Sequence, residues 1–200
     1  MPYRGKRVLD IVIAVPLLLL TLPMQALAAL GIRVTMGRPV LFEQERPGLN
    51  GKPFMMRKFR TMRPIDPSRG WVDDASRLTR LGSFLRSTSI DELPTIWNIV
   101  DGDMSLVGPR PLLMRYLDRY TPEQARRMDV PPGLTGLAQV SGRNAQTWDE
   151  RFAFDVAYVD TCSLKLDLKI LARTAWTVLR REGVSAEGEA TMPEFRGSAT

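Results

Sequence analysis

The sequence predicts an α+β protein that is mostly helical, and three observations predict it. A long apolar run follows a basic start, two short segments of strand character flank an Asn-Gly turn, and beyond them apolar residues recur at helical spacing. In order these give an N-terminal re-entrant membrane helix-break-helix, a small β-hairpin, and a helical catalytic domain at the membrane surface. The expected boundaries are 1–36 for the membrane anchor, 37–185 for the cytoplasmic domain and 186–200 for a loosely ordered tail.

Arg4, Lys6 and Arg7 precede the apolar run of residues 8–32, which is interrupted by Asp10, Thr21, Gln25, Pro16 and Pro23. A cleaved signal peptide shares the basic start, but the run exceeds an ordinary signal core and the Arg-rich, cysteine-poor remainder does not look secreted. A single spanning helix needs only about 20 apolar residues. Yet Arg33 and Arg38 follow the run as Arg4, Lys6 and Arg7 precede it, and basic flanks stay on the cytoplasmic side. Pro23, near the middle, removes a helix hydrogen bond and favours a bend. A helix that enters one leaflet and turns back satisfies both observations and is the preferred reading.

Residues 39–45 and 53–62 flank Pro47-Gly48-Leu49-Asn50-Gly51, whose Asn-Gly pair signals a hairpin turn. The second arm ends in Arg57-Lys58-Phe59-Arg60, either a solvated strand edge or a rim that grips phosphate or lipid headgroups. Residues 65–74, rich in Pro, Asp, Ser and Gly, read as an exposed loop. Residues 76–86 form a short amphipathic helix (Leu78, Leu81, Phe84, Leu85). Two further short helices follow at 111–120 and 122–128, the second starting at Thr121-Pro122-Glu123. Residues 131–136 are too broken by Pro and Gly to be regular. They lead into Ser141-Gly142-Arg143-Asn144, a turn whose N–H groups and arginine suit an anion. From Thr147 the chain is helical again, with a last strong helix over 166–179.

The formal charge of +6 and a pI near 9.9 call for an anionic partner: phosphates, anionic lipid or nucleic acid. Only five of the 28 basic residues are Lys, so Arg, whose planar fork suits phosphate, dominates. The absence of His removes the Ser-His-Asp triad and the usual zinc sites. The single Cys162 excludes an intramolecular disulfide and reads as a small core residue. Catalysis must therefore use carboxylates, Arg, Lys, hydroxyls, backbone N–H groups or Mg²⁺.

The chemistry concentrates in residues 86–111, RSTSIDELPTIWNIVDGDMSLVGPRP. Pro94 fits only a helix's first turn, which puts the helix start near the acid pair Asp91-Glu92, with Ser89 or Asp91 as N-cap. Such acids are usually caps and nothing more. Here they have company: Arg86 lies one or two turns upstream, and the turn Gly108-Pro109-Arg110-Pro111 closes the segment. A helix start keeps carboxylates ionised and also suits phosphate.

KRVLD, ERPGLNGKPF, KFRTM, SIDELPTIWNIVDGDMSLVGPRPLL, PGLTGLAQVSGRN and GVSAEGEAT together resemble the bacterial sugar transferase family, specifically its small monotopic phosphoglycosyl transferases. The likeness runs from about Lys6 to the tail, and length and tail most resemble the bacillosamine-phosphate transferases of bacterial protein N-glycosylation. The resemblance implies transfer of a sugar 1-phosphate from a UDP-sugar to polyprenyl (undecaprenyl) phosphate, with release of UMP. The tail points to an N-acetylated sugar such as diacetylbacillosamine; UDP-GlcNAc, UDP-GalNAc or UDP-galactose is the alternative within the family. It implies a monotopic protein on the cytoplasmic face of the bacterial inner membrane. Asp91 matches the nucleophile on the β-phosphorus, which forms a covalent phosphosugar intermediate. Glu92 matches its acidic partner, and the pair is associated with Mg²⁺. Arg86 matches a phosphate-binding arginine, while Arg110 and Arg143 match arginines near the nucleotide and phosphates; Lys58 joins them from the basic strand end. Pro23 matches the helix-breaking proline, commonly preceded there by Ser but here by Leu22, so the bend loses one side-chain hydrogen bond. Two readings from other classes stand against this: a nucleic-acid binder, which leaves the apolar run and the acid pair unexplained and shows no recognisable motif, and a catalytically silent membrane adaptor.

Overall fold

The chain is described by a computed structural model over residues 2–142, 146–180 and 194–197. Its first element, α1 (Lys6–Met36), is one helix of 31 residues, about 46 Å long at 1.5 Å per residue. Pro16 and Pro23 both lie inside it. The expected break at Pro23 therefore does not divide the helix in two: an interior proline removes one hydrogen bond, but the neighbouring turns keep theirs.

The burial of α1 is inverted relative to a soluble helix. Lys6, Asp10, Ala14, Leu18, Thr21, Gln25, Ala28 and Ile32, spaced three or four apart, face the protein. Val8, Val12, Leu19, Leu20, Leu27, Leu30 and Val34 are exposed. Polar groups turned inward and apolar ones outward is the arrangement expected of a helix whose far side meets lipid.

The inward polar groups fasten α1 along its length. Arg7 donates to the carbonyls of Ile99 and Val100, and Asp10 Oδ1 accepts from Ser105 Oγ and Leu106 N, both at 2.9 Å. At the other end Arg60 donates to the Met36, Gly37 and Arg38 carbonyls and so caps α1. Ala14 and Leu18 enter the main core with Ile96, Ile99, Leu106, Val107, Val130, Tyr158 and Ile170. Ala28 and Ile32 pack in a second cluster with Phe59 and Leu85. The anchor ends at Met36, where it was expected to, but it packs on the domain throughout.

The hairpin forms as predicted: β1 (Leu41–Pro47) and β2 (Pro53–Phe59) pair antiparallel, with Arg46 opposite Phe54 and a 3₁₀ turn at Leu49–Gly51 between them. The region 65–86 differs from expectation. Asp66 caps a 3₁₀ turn at Pro67–Arg69 and Asp73 makes a capping box for α2 (Asp74–Arg77), so the loop is ordered by its own side chains. The expected helix over 76–86 is interrupted where Leu78 bridges Met62, and α3 (Arg80–Ser87) starts afresh with Thr79 as N-cap. α3 lies so close to β2's continuation that a Cβ on Gly82 would stand 1.9 Å from the Thr61 carbonyl oxygen.

A 3₁₀ turn over Ile90–Glu92 precedes α4 (Thr95–Asp101). The helix thus begins after the acids, not at them, and Ser89, in the left-handed region at φ 56°, turns the chain without a side-chain cap. Along α4, Ile96 and Ile99 are fully buried, while Trp97, expected on the core face, is exposed. β3 (Ser105–Val107) pairs in parallel with β4 (Gly133–Thr135), so the broken segment 131–136 contains a strand after all. Its glycines permit it: a Cβ on Gly133 would meet Gly108 N at 2.1 Å. The expected helix at 111–120 is a 3₁₀ segment, Met114–Arg119, and α5 (Pro122–Ala125) starts at a Thr121–Gln124 capping box.

After α6 (Leu137–Ser141), Thr147 caps α7 (Trp148–Thr161), and α8 (Leu164–Arg180) closes the helical body. Cys162 is half-buried beside the main core, as expected. The tail is less loose than its composition implied. Phe195 is 1 % exposed, within 6.0 Å, centroid to centroid, of Tyr116, Tyr120, Trp148 and Phe152.

Candidate active site

The site is assembled on the hairpin edge. β2's free side is covered by α4: Asn98 Oδ1 accepts from Arg57 N, Asn98 Nδ2 donates to Met55 O, and Thr95 Oγ1 donates to Arg57 O. Both side chains are fully buried, so they satisfy a strand edge that would otherwise be open. That lock sets Lys58, on β2, against Glu92, just before α4.

Glu92 is the hub. Lys58 Nζ reaches its Oε1 at 2.8 Å, and Arg110 straddles the carboxylate, donating to Oε1 and, at 3.3 Å, to Oε2. Burial alone would raise its pKa, but the Arg110 and Lys58 charges overrule it and hold the carboxyl far below its usual range. Lys58 in turn is pushed down, first by burial and then by Arg110.

Asp91 has a different setting. Among the described residues it makes no hydrogen bond and no ion pair. Burial, and then the charge of Glu92, push its pKa up to about 6, against the pull of Lys58, Arg86 and Arg110. The expectation that a helix start keeps it ionised thus fails in direction: the acids precede α4 on a separate turn, and desolvation beside a second carboxylate outweighs the cations. At pH 7 it is still mostly carboxylate. Two adjacent acids therefore have opposed environments, one clamped and one unclamped, which is a signature of divided roles.

Arg86 sits in the last turn of α3, where its Nε donates to Thr61 Oγ1 at 3.0 Å, and its charge acts on Asp91. Arg110 is held from behind. Arg127 Nη2 donates to the Arg110 carbonyl at 2.8 Å while Arg127 itself is bound to buried Asp155. The close approach of Gly108 to Gly133 fixes the same turn. The structure thus brings together Asp91, Glu92, Lys58, Arg86 and Arg110. Arg143 lies outside the described residues. Of the basic strand end only Lys58 faces the acids: Arg57 pairs with Asp101 and Arg60 caps α1.

Sequence reasoning missed Thr95, Asn98, Arg127 and Asp155, which position the site without touching the acids. A polar Asn98 within the apolar periodicity of α4 was the one available signal; nothing local paired Arg127 with Asp155. Among the described residues no group of three His, Cys, Asp or Glu could hold a metal ion. Mg²⁺ suits this donor set nonetheless, because it binds through one or two carboxylates and otherwise keeps waters or substrate phosphates. Asp91 is unencumbered, and Glu92 Oε2 carries a single hydrogen bond of 3.3 Å, leaving a lone pair open.

Comparison with known proteins agrees with this geometry. The family model described as "Bacterial sugar transferase" matches residues 1–181. The chain is 49 % identical over 194 residues to an uncharacterized sugar transferase, EpsL, of Bacillus subtilis, covering 96 % of both chains. It is 47 % identical over 185 residues to a UDP-glucose:undecaprenyl-phosphate glucose-1-phosphate transferase of Caulobacter vibrioides, covering 87 % of this chain and 69 % of that one. Over 198 residues it is 39 % identical to an undecaprenyl-phosphate galactose phosphotransferase of Salmonella typhimurium, covering 89 % of this chain but 41 % of the larger relative. The likeness is therefore to sugar transferases broadly, and these two named activities concern glucose and galactose, not bacillosamine.

Proposed function

The chain belongs to the bacterial sugar transferase family, and on that premise we propose that it moves a sugar 1-phosphate from a UDP-sugar to polyprenyl phosphate, such as undecaprenyl phosphate, releasing UMP. The observation that carries this is the unpaired Asp91 carboxylate beside a Glu92 clamped by Lys58 and Arg110. Asp91 attacks the β-phosphorus, the bond to the bridging oxygen breaks, and UMP departs with the electron pair. The acyl phosphate left on Asp91 is then attacked by a polyprenyl phosphate oxygen, which frees the carboxylate again. Charge balances at each step without a proton transfer, as suits a site with no His. Arg86, Lys58 and Arg110 offset the charge gathering on the phosphates. Asp91 and Glu92 would hold Mg²⁺, which when bound further neutralises the diphosphate.

The relatives that name a sugar favour a UDP-hexose over the N-acetylated sugar that the tail resembles. UMP release from a panel of UDP-glucose, UDP-galactose, UDP-GlcNAc and UDP-diacetylbacillosamine, with polyprenyl phosphate and Mg²⁺, tests both levels. Release is expected with a hexose and is abolished by excess chelator. No release with any member of the panel overturns the function, and full activity in chelator removes the metal.

The same proposal seats the chain on the cytoplasmic face of the inner membrane with both ends of α1 on one side. What supports it is the packing: from Lys6 to Ile32 one face of α1 lies against the domain while the opposite face is apolar and open. A helix crossing the bilayer upright cannot have a water-exposed domain alongside its whole length. Single cysteines near Arg4 and Arg38, in a Cys162→Ser background, should react with an impermeant reagent from the same side. Labelling from opposite sides means a full span.

A further inference from the structure

Two arginines near the site have no acid partner, and neither belongs to the set discussed above. Arg46, half-buried at the end of β1, donates through Nη2 to Gln44 Oε1 at 2.6 Å, while its Nε is buried with no hydrogen-bond partner. Arg151, half-buried on α7, lies with its guanidinium carbon 5.4 Å from the centroid of the Trp148 ring and makes no hydrogen bond or ion pair among the described residues. Both feel the charge of Arg110, which opposes theirs. Arg127, by contrast, is fully engaged by Asp155. A cluster of like charges with buried, unsatisfied donors is costly to keep without an anion to complete it.

The order of these charges indicates where that anion sits. Asp91 acts on Lys58 and Arg110. The charges acting on Arg46 and Arg151 include Arg110 but not Asp91. The sequence is thus Asp91, Arg110, then Arg46 and Arg151, which places the last two on the far side of Arg110 from the nucleophile. Displacement at phosphorus runs roughly in line, so the leaving oxygen departs on the side opposite Asp91. The second displacement occurs at the same phosphorus with Asp91 now leaving, so its nucleophile enters from that same side.

We propose that Arg46 and Arg151, flanking Arg110, form one phosphate subsite that holds first the leaving phosphate of the nucleotide and then the entering phosphate of the polyprenyl acceptor. The subsite rests on the double displacement described above and adds to it a shared location for two chemically distinct phosphomonoesters. In the first step the bridging P–O bond breaks and the electron pair goes to the UMP phosphate, which the two guanidiniums receive. UMP must then vacate the subsite before a polyprenyl phosphate oxygen can form the new P–O bond and return the electron pair to Asp91.

Equilibrium binding tests this without turnover. UMP binding to the full chain in detergent is titrated against a short-chain polyprenyl phosphate, with uridine as a control lacking the phosphate. The two phosphates should exclude each other, and uridine should leave polyprenyl phosphate binding unchanged. Arg46→Gln should weaken UMP and polyprenyl phosphate by the same factor, about tenfold or more for a lost charged hydrogen bond, and Arg46→Lys should recover part of it. Arg151→Gln should do the same, so one misfolded variant does not remove the test. Simultaneous binding of the two phosphates overturns the shared subsite, as does a variant that weakens only one of them or neither. These outcomes differ from failure of the function itself, which is read as absent UMP release from UDP-sugars by the wild type.

Discussion

Asp91→Asn is expected to lose the covalent phosphosugar adduct entirely and to lower turnover by about three orders of magnitude or more, the scale seen when a nucleophile is removed. Intact mass spectrometry of a quickly quenched reaction with UDP-sugar alone should show the adduct, and up to one UMP per enzyme, on the wild type only. The pH dependence has a definite sign. The reactive form is the carboxylate, and Asp91 lies near 6 because it is buried beside Glu92. Adduct formation should therefore rise with pH, reach a plateau above neutrality, and at pH 5 run at about one-tenth of that plateau; bound Mg²⁺ moves the inflection to lower pH. Stability runs the other way. A carboxyl whose pKa is raised on folding binds its proton more tightly in the native state, so it opposes folding progressively as pH rises through that range. In chelator at pH 7, Asp91→Asn should thus melt no lower than the wild type. An adduct that persists in Asp91→Asn, or UMP release that requires both substrates, would falsify the nucleophile assignment. Asp91 would then be a metal ligand for direct attack by the polyprenyl phosphate.

The largest effect on stability is expected at the other end of the fold. Lys6 Nζ meets Asp167 Oδ2 at 2.7 Å with side chains 5 % and 0 % exposed. Tyr3 and Tyr158 donate their hydroxyls to the same carboxylate at 2.9 and 2.7 Å. This cluster ties the start of α1 to α7 and α8, which no local sequence feature would join. Lys6→Met leaves Asp167 charged and buried with only phenols to face it, at a cost of about 3–5 kcal/mol. Unfolding in detergent should show that loss. Asp167→Leu combined with Lys6→Met should be milder than the sum of the two single changes, because the double variant leaves no unpaired charge. Equal and additive losses would mean that the two groups do not act as a pair.

Local rules sufficed wherever the physics is local. The Asn-Gly turn set the hairpin, Thr121-Pro122-Glu123 and Thr147 set helix starts, and the run of residues 8–32 made a long apolar helix inevitable. The adjacent Asp91-Glu92 pair, with Arg86 upstream and Arg110 closing the segment, was visible as a candidate site because its members lie within 25 residues of one another. The parallel pairing of β3 with β4 was not, since it joins segments that no turn connects and depends on the close approach of Gly108 and Gly133. The docking of Phe195 escaped for the same reason: one aromatic in a polar tail gives no periodicity to read.

The difference between Asp91 and Glu92 belongs wholly to tertiary structure. In sequence they are neighbouring acids at a helix start, and a single rule assigned them a single electrostatic character. Folding brings Lys58 from β2 and Arg110 from a glycine-fixed turn onto Glu92 alone, and buries Asp91 beside the resulting charge. The sequence by itself determined which residues could perform the chemistry, through what it contains and through having no His. Which carboxylate is clamped and which is left open to react was decided by long-range packing, because the pKa of a buried acid depends on the charges and solvent around it.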